Sequence, residues 1–148
     1  MRTLIITLII LITSPAFAEW QYQEKSNEMG DMHVEMAFTY DSDPDYDAMF
    51  GVAKEDRVGI ILVLYVKSER FPDGNEIDVK IDDGEIIPLH AIRDGKLFMT
   101  APSKTLIHML KTGKAVKVRF ETQSDIHTVD FSLDGSAAAI NKLQGGEK

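Results

Sequence analysis

Every second side chain from position 32 to position 40 is large and apolar (Met32, Val34, Met36, Phe38, Tyr40), with His33, Glu35, Ala37 and Thr39 between them. Successive side chains of a strand leave opposite faces, so this spacing gathers five apolar groups on one side of a pleated ribbon. The same period returns at Ile77, Val79 and Ile81, at Val116, Val118 and Phe120, and at Val129, Phe131 and Leu133. Residues 58–66, VGIILVLYV, are apolar on both faces, and their β-branched and aromatic content marks a central strand rather than a buried helix. The pairs Asp73-Gly74, Asp83-Gly84 and Asp94-Gly95 tolerate the positive φ that tight hairpins need. Residues 86–92 read as the return strand after the second pair, and the expectation is a meandering antiparallel sheet.

Two segments leave this rhythm. Ser103 can cap a helix in which Leu106, Ile107 and Leu110 fall at i, i+1 and i+4, with Lys111 in its last turn and Gly113 just beyond. Near the end, Phe131 and Leu133 point inward, Gly135 lets the backbone leave the strand sharply, and Ser136 stands where a cap is expected. Ala137, Ala138 and Ile140 then lie against the sheet, with Leu143 on the same side. The fold class is mainly β: a single antiparallel β-sandwich-like domain with two short helices, at residues 103–112 and 136–143.

Residues 1–18 read as a secretory signal peptide. Arg2 precedes an apolar run at residues 4–12, and Ala16-Phe17-Ala18 supplies a small-x-small cleavage site. The run is too short for about 30 Å of hydrocarbon. Residues 19–148 then form the mature domain, with no membrane span, located in the periplasm or secreted. A chain of this size can bury roughly two thirds of its unfolded surface, so one core is sufficient. With no cysteine anywhere, disulfides, thiolate metal sites and a lipid-anchored Cys are excluded.

The charge is unevenly placed. Residues 19–56 hold eleven acids against Lys25 and Lys54, whereas residues 57–148 are balanced. Lys104, Lys111, Lys114, Lys117 and Arg119 lie close in sequence with Glu121 alone nearby to oppose them, so the chain reads as a charge dipole. Net negative charge argues against nucleic acid, whose affinity comes from neutralising phosphates.

Asp41, Asp43, Asp45 and Asp47 present four carboxylates at period two, the way a Ca²⁺ loop begins. Counted from Asp41, however, Tyr46 stands at position six instead of glycine and Val52 at position twelve instead of glutamate, which argues for a solvated acidic loop rather than a cation site. His33, His90, His108 and His127 show no pair at helical ligand spacing; His33 and Glu35 share a strand face but leave a zinc site short of ligands. No Gly-x-Ser-x-Gly elbow is present. No catalytic, cofactor-binding or metal-binding residue is assigned. Trp20 and Tyr22 alternate on the first strand, with Trp20 read as core. The best binding surface is the acidic loop bordered by aromatics, comprising Asp41, Asp43, Asp45, Tyr46, Asp47 and Phe50.

Several landmarks together resemble a known group: Trp20 just after the leader, the turn Val79-Lys80-Ile81-Asp82-Asp83-Gly84-Glu85, and the ending Asp130-Phe131-Ser132-Leu133-Asp134-Gly135-Ser136-Ala137-Ala138-Ala139-Ile140. The chain looks like the small exported β-sandwich proteins of proteobacteria typified by the invasion-associated locus B family and by the periplasmic accessory proteins of type VI secretion. The resemblance implies a non-enzymatic accessory protein of the envelope. With the acidic loop, this makes a protein partner the first expectation, an inhibitor of a basic enzyme such as a lysozyme being a special case. Rival expectations are a small hydrolase using paired carboxylates about 5–10 Å apart and a homodimer formed through the charge dipole.

Overall fold

The computed structural model describes residues 19–26, 29, 33–41, 48–55, 58–66, 76–94, 96–121 and 126–143. In chain order the strands are β1 (Gln21–Ser26), β2 (His33–Tyr40), β3 (Ala48–Glu55), β4 (Gly59–Val66), β5 (Glu76–Ile81), β6 (Ile86–His90), β7 (Ile92–Asp94) and β8 (Leu97–Thr100). Helix α1 (Lys104–Thr112), strands β9 (Ala115–Glu121) and β10 (Ile126–Ser132) and helix α2 (Ser136–Leu143) complete the described fold. The strands form two antiparallel sheets, one ordered β1-β2-β3-β4-β8-β7 and the other β10-β9-β5-β6.

Alternation explains the second sheet directly. Ile77, Val79, Ile81, Val116, Val118, Phe120, Val129 and Phe131 are all buried, while their neighbours Lys117, Arg119 and Asp130 face solvent. Across the gap they meet Phe50, Val52, Leu62, Leu64 and Phe98 of the first sheet, with Phe50 stacked on Phe131 at 5.3 Å between ring centroids. Apolar burial of this kind is worth roughly 1.5–3 kcal/mol per large side chain, so the inter-sheet layer dominates stability.

The first sheet is buried on both faces. Strand β3 has Phe50 and Val52 directed to the other sheet and Met49 and Ala53 directed away from it, all fully buried. Gly51 is required by this crowding: a Cβ there would lie 2.4 Å from the Ala37 carbonyl oxygen and 2.6 Å from Phe38 Cβ.

The helices follow the sequence at their boundaries. Ser103 Oγ accepts from the Leu106 amide at 3.0 Å, and Leu106, Ile107 and Leu110 are buried beneath α1. In α2 the inward set is Ala139, Ile140 and Leu143; Ala138 faces outward, correcting the expectation for the alanines. Ser136 is already helical, and its hydroxyl donates to the Leu110 carbonyl at 2.6 Å, tying the two helices together instead of capping its own. Gly135 has φ of +81°, consistent with the sharp exit from β10.

Three features differ from a simple meander. Residues 86–92 are not one strand: β6 ends at His90, and after buried Ala91 the chain enters the other sheet as β7. Strand β4 pairs with β8 rather than with β5, because the chain changes sheets between them. At the 81–84 turn the residue with positive φ is Asp82 (+54°), not the Asp83-Gly84 pair. Asp82 Oδ1 accepts from the amides of Lys114 and Ala115, both at 3.0 Å, so a side chain of this turn fixes the entry to β9 and offsets the unfavourable backbone.

Candidate functional site

The β2–β3 hairpin frames the acidic segment. Its base is closed by the Asp41 amide donating to the Ala48 carbonyl at 3.0 Å and by the Ala48 amide donating to Asp41 Oδ1 at 3.2 Å. Asp43, Asp45, Tyr46 and Asp47 lie outside the described residues. Phe50, expected to border the loop as an anchor, is instead fully buried between the sheets against Trp20 and Phe131. The reason is parity: Phe50 falls on the inward side of β3, beside Thr39 and Leu64 in register. Tyr40 takes the opposite face, edge-on to Phe38 at 5.8 Å.

Trp20 is a core residue as expected. It is 6% exposed, its indole N–H donates to the Ser132 carbonyl at 2.7 Å, and its backbone amide donates to Asp134. These contacts clasp the start of the described chain to its last strand.

A polar cluster beside Trp20 was legible in the sequence only as His33 and Glu35 on one strand face, because its other members come from β1 and α2. The Tyr22 hydroxyl donates to Glu35 Oε1 at 2.6 Å, His33 Nε2 lies 3.3 Å from Glu24 and 3.7 Å from Glu35, and the Ser26 hydroxyl is 2.9 Å from His33 Nδ1. Lys142 of α2 sits over the Tyr22 ring at 5.6 Å. Burial first, then the hydrogen bond and negative charge of Glu35 and the charge of Glu24, hold the Tyr22 hydroxyl above the usual tyrosine range. Among the described residues, no group of three His, Cys, Asp or Glu side chains is arranged to hold a metal ion.

The basic stretch is divided by the fold. Lys104 and Lys111 stand on α1, where with His108, Ile60, Pro102 and Ile107 they line a groove of about 340 Å³. Lys117 and Arg119 instead face solvent on the second sheet, each met by an acid from a neighbouring strand. Lys117 Nζ lies 2.8 Å from Asp130, and Arg119 donates twice to Asp78 Oδ2, at 3.1 and 2.7 Å. Glu121 is therefore not the sole opposing acid, and the local excess of base around Lys117 and Arg119 is matched by Asp130 and Asp78.

Paired carboxylates would need a shared cleft. The Asp78, Lys80, Lys117, Arg119 and Thr128 cleft encloses about 90 Å³ and contains one carboxylate, already engaged by Arg119. A third depression, of about 170 Å³ beside Trp20 and Tyr22, contains Glu19 and Lys142. None of these three places two carboxyl groups together.

Two facing antiparallel sheets with two short helices define a β-sandwich. The chain is similar in structure to the crystal structure of invasion associated protein B from Bartonella henselae, with a TM-score of 0.62 over 90% of this chain and 97% of that one. The two are 14% identical, and the likeness is one of fold. No family model and no curated protein sequence matches the chain. Among the described residues no helix is long and apolar enough to cross a membrane.

Proposed function

We propose that this chain is an exported, non-catalytic accessory protein of the bacterial envelope that binds a protein partner through the acidic end of the β2–β3 hairpin. The observation that carries the proposal is the hairpin base. Two hydrogen bonds between Asp41 and Ala48 close it, and the six residues that separate the two in sequence include Asp43, Asp45, Tyr46 and Asp47. Concentrated charge of one sign on a fixed frame favours a basic partner and accelerates its encounter. The fold likeness to invasion associated protein B supports an envelope setting, with residues 1–18 as the leader that delivers the chain there. A place beside a type VI secretion assembly rests on the sequence resemblance alone.

Phe50 is excluded from the surface by its burial, leaving Asp41, Asp43, Asp45, Tyr46 and Asp47. The test is capture from envelope extract by the exported protein and by a variant with Asp43→Lys, Asp45→Lys and Asp47→Lys. The variant should keep the parent's circular dichroism while losing captured partner, and raised salt should weaken capture by the parent. Equal capture by both proteins refutes the loop's role.

A further inference from the structure

Lys117 and Arg119 on the second sheet are each answered by an acid, whereas the cations of the α1 groove meet none in its walls. Lys104, His108 and Lys111 fall at i, i+4 and i+7, so they share one stripe of the helix about 10 Å long. With Ile60, Pro102 and Ile107 they line the groove of about 340 Å³, and none of the six is an acid. Lys104 and His108 are exposed, and among the described residues the Lys104 ammonium and the His108 ring have no hydrogen-bond or ion-pair partner.

A further cation comes from another element. Lys54 of β3 stands directly opposite Ile60 of β4, and directly opposed residues of an antiparallel pair project to the same face with Cβ atoms about 5 Å apart. Ile60 packs against the core between the sheets, so Lys54 rises beside the groove floor. Its other cross-strand neighbour, Glu35, is already engaged by the Tyr22 hydroxyl and lies 3.7 Å from His33. An apolar floor of Ile60, Pro102 and Ile107 thus runs between donors from two elements, a pattern that complements an anion carrying apolar groups.

The spread of charge selects among such ligands. A fatty acid or lipid concentrates its charge in one headgroup, whereas these donors extend along about 10 Å. An extended peptide covers that length in three residues, and its side chains at i and i+2 stand about 7 Å apart on one face. Lys104 and His108 are separated by about 6 Å along the helix axis, so two carboxylates of such a peptide meet both while the side chain between them turns to Ile60 and Ile107. We propose that this groove binds an extended acidic peptide segment of a partner protein, with carboxylates at alternate positions and apolar side chains between them. The site is separate from the acidic hairpin, and the proposal depends neither on that hairpin nor on residues 1–18.

The test titrates the purified protein into a fluorescein-labelled peptide of four Asp-Leu repeats and follows anisotropy at about 50 mM NaCl, where screening is modest. Saturable binding is expected, weakened by salt and at least about tenfold weaker for peptides of four Asn-Leu or four Asp-Gly repeats, which lack the charge or the apolar groups. The double variant Lys104→Glu, His108→Glu should raise the dissociation constant at least about tenfold. It should keep the parent's circular dichroism, because both side chains are exposed and an acid in the first turn suits the helix dipole. Lys80→Glu on the second sheet, the control for net charge, should change binding by less than about threefold. The variant with Asp43→Lys, Asp45→Lys and Asp47→Lys should bind the peptide no more weakly than the parent, so this site and the hairpin stand or fall separately. No saturable binding, equal binding of the Asn-Leu peptide, or equal losses in Lys80→Glu and the double variant overturns the proposal. Binding of phosphatidylglycerol vesicles without the peptide, lost in the double variant, overturns it in favour of a lipid.

Discussion

Replacing Gly51 with alanine tests how tightly the sheet that carries the acidic hairpin is assembled. The added Cβ would stand 2.4 Å from the Ala37 oxygen, 2.6 Å from Phe38 Cβ and 2.7 Å from Phe38 Cα, two of these being backbone atoms. Comfortable contacts between carbon atoms begin at about 3.5 Å, so β2 must retreat by close to 1 Å. It cannot do so alone, because seven residue pairs register β2 on β3 from Val34↔Glu55 to Tyr40↔Met49. Overpacking usually costs about 1–3 kcal/mol, and a clash with backbone belongs at the upper end. A loss of about 3 kcal/mol is a large part of the roughly 5–15 kcal/mol total of a domain. With a urea dependence of about 2 kcal/mol per molar, the midpoint should fall by about 1.5 M. Trp20, the sole tryptophan and 6% exposed, reports the transition by fluorescence. Gly59→Ala is the control, since φ there is +88° with nothing within 4 Å of the added carbon; its cost is the backbone term alone, about 1 kcal/mol. A Gly51→Ala midpoint within about 0.5 M of the parent at unchanged slope would refute the packing argument.

Ser136→Ala removes the buried hydroxyl that donates to Leu110 and should cost about 1–2 kcal/mol by urea denaturation; a neutral result means the helix pair does not depend on that bond. Tyr22 should give a stability signature at high pH. Its hydroxyl titrates higher folded than unfolded, so the folded state holds the proton more tightly, and the contribution is complete below about pH 10 and is lost as pH rises beyond it. Tyr22→Phe should flatten that decline in melting temperature above about pH 10, and an unchanged decline assigns it to other groups. Arg119→Met should shift stability by less than about 1 kcal/mol despite its two bonds to Asp78, because the pair is solvated; a larger loss would make this surface pair a structural element.

Strands were legible where one face meets water. In β9 the alternation of Val116, Val118 and Phe120 with Lys117 and Arg119 is also the alternation of buried and exposed positions, because a one-residue slip would reverse both faces. Helix α1 was equally plain, since Ser103 and the spacing of Leu106, Ile107 and Leu110 are local signals. The same logic failed at α2, whose three consecutive alanines look alike until a neighbour selects Ala139 for the interior. At the candidate site, the acids of the hairpin could be read from the chain, but the inward parity of Phe50 could not, because β3 is apolar in both directions.

The amino-acid sequence by itself determined that the chain forms pleated sheet, where its helices start and stop, and that its negative charge concentrates in residues 19–56; each depends on neighbours within a few positions. Only the tertiary structure decided that the chain changes sheets at Ala91, that Asp78 and Asp130 answer Arg119 and Lys117, and that β2 to β4 turn a second apolar face away from the sandwich. Those outcomes depend on strand pairing between residues far apart in sequence, where hydrogen bonds and burial are decided by partners that local spacing does not specify.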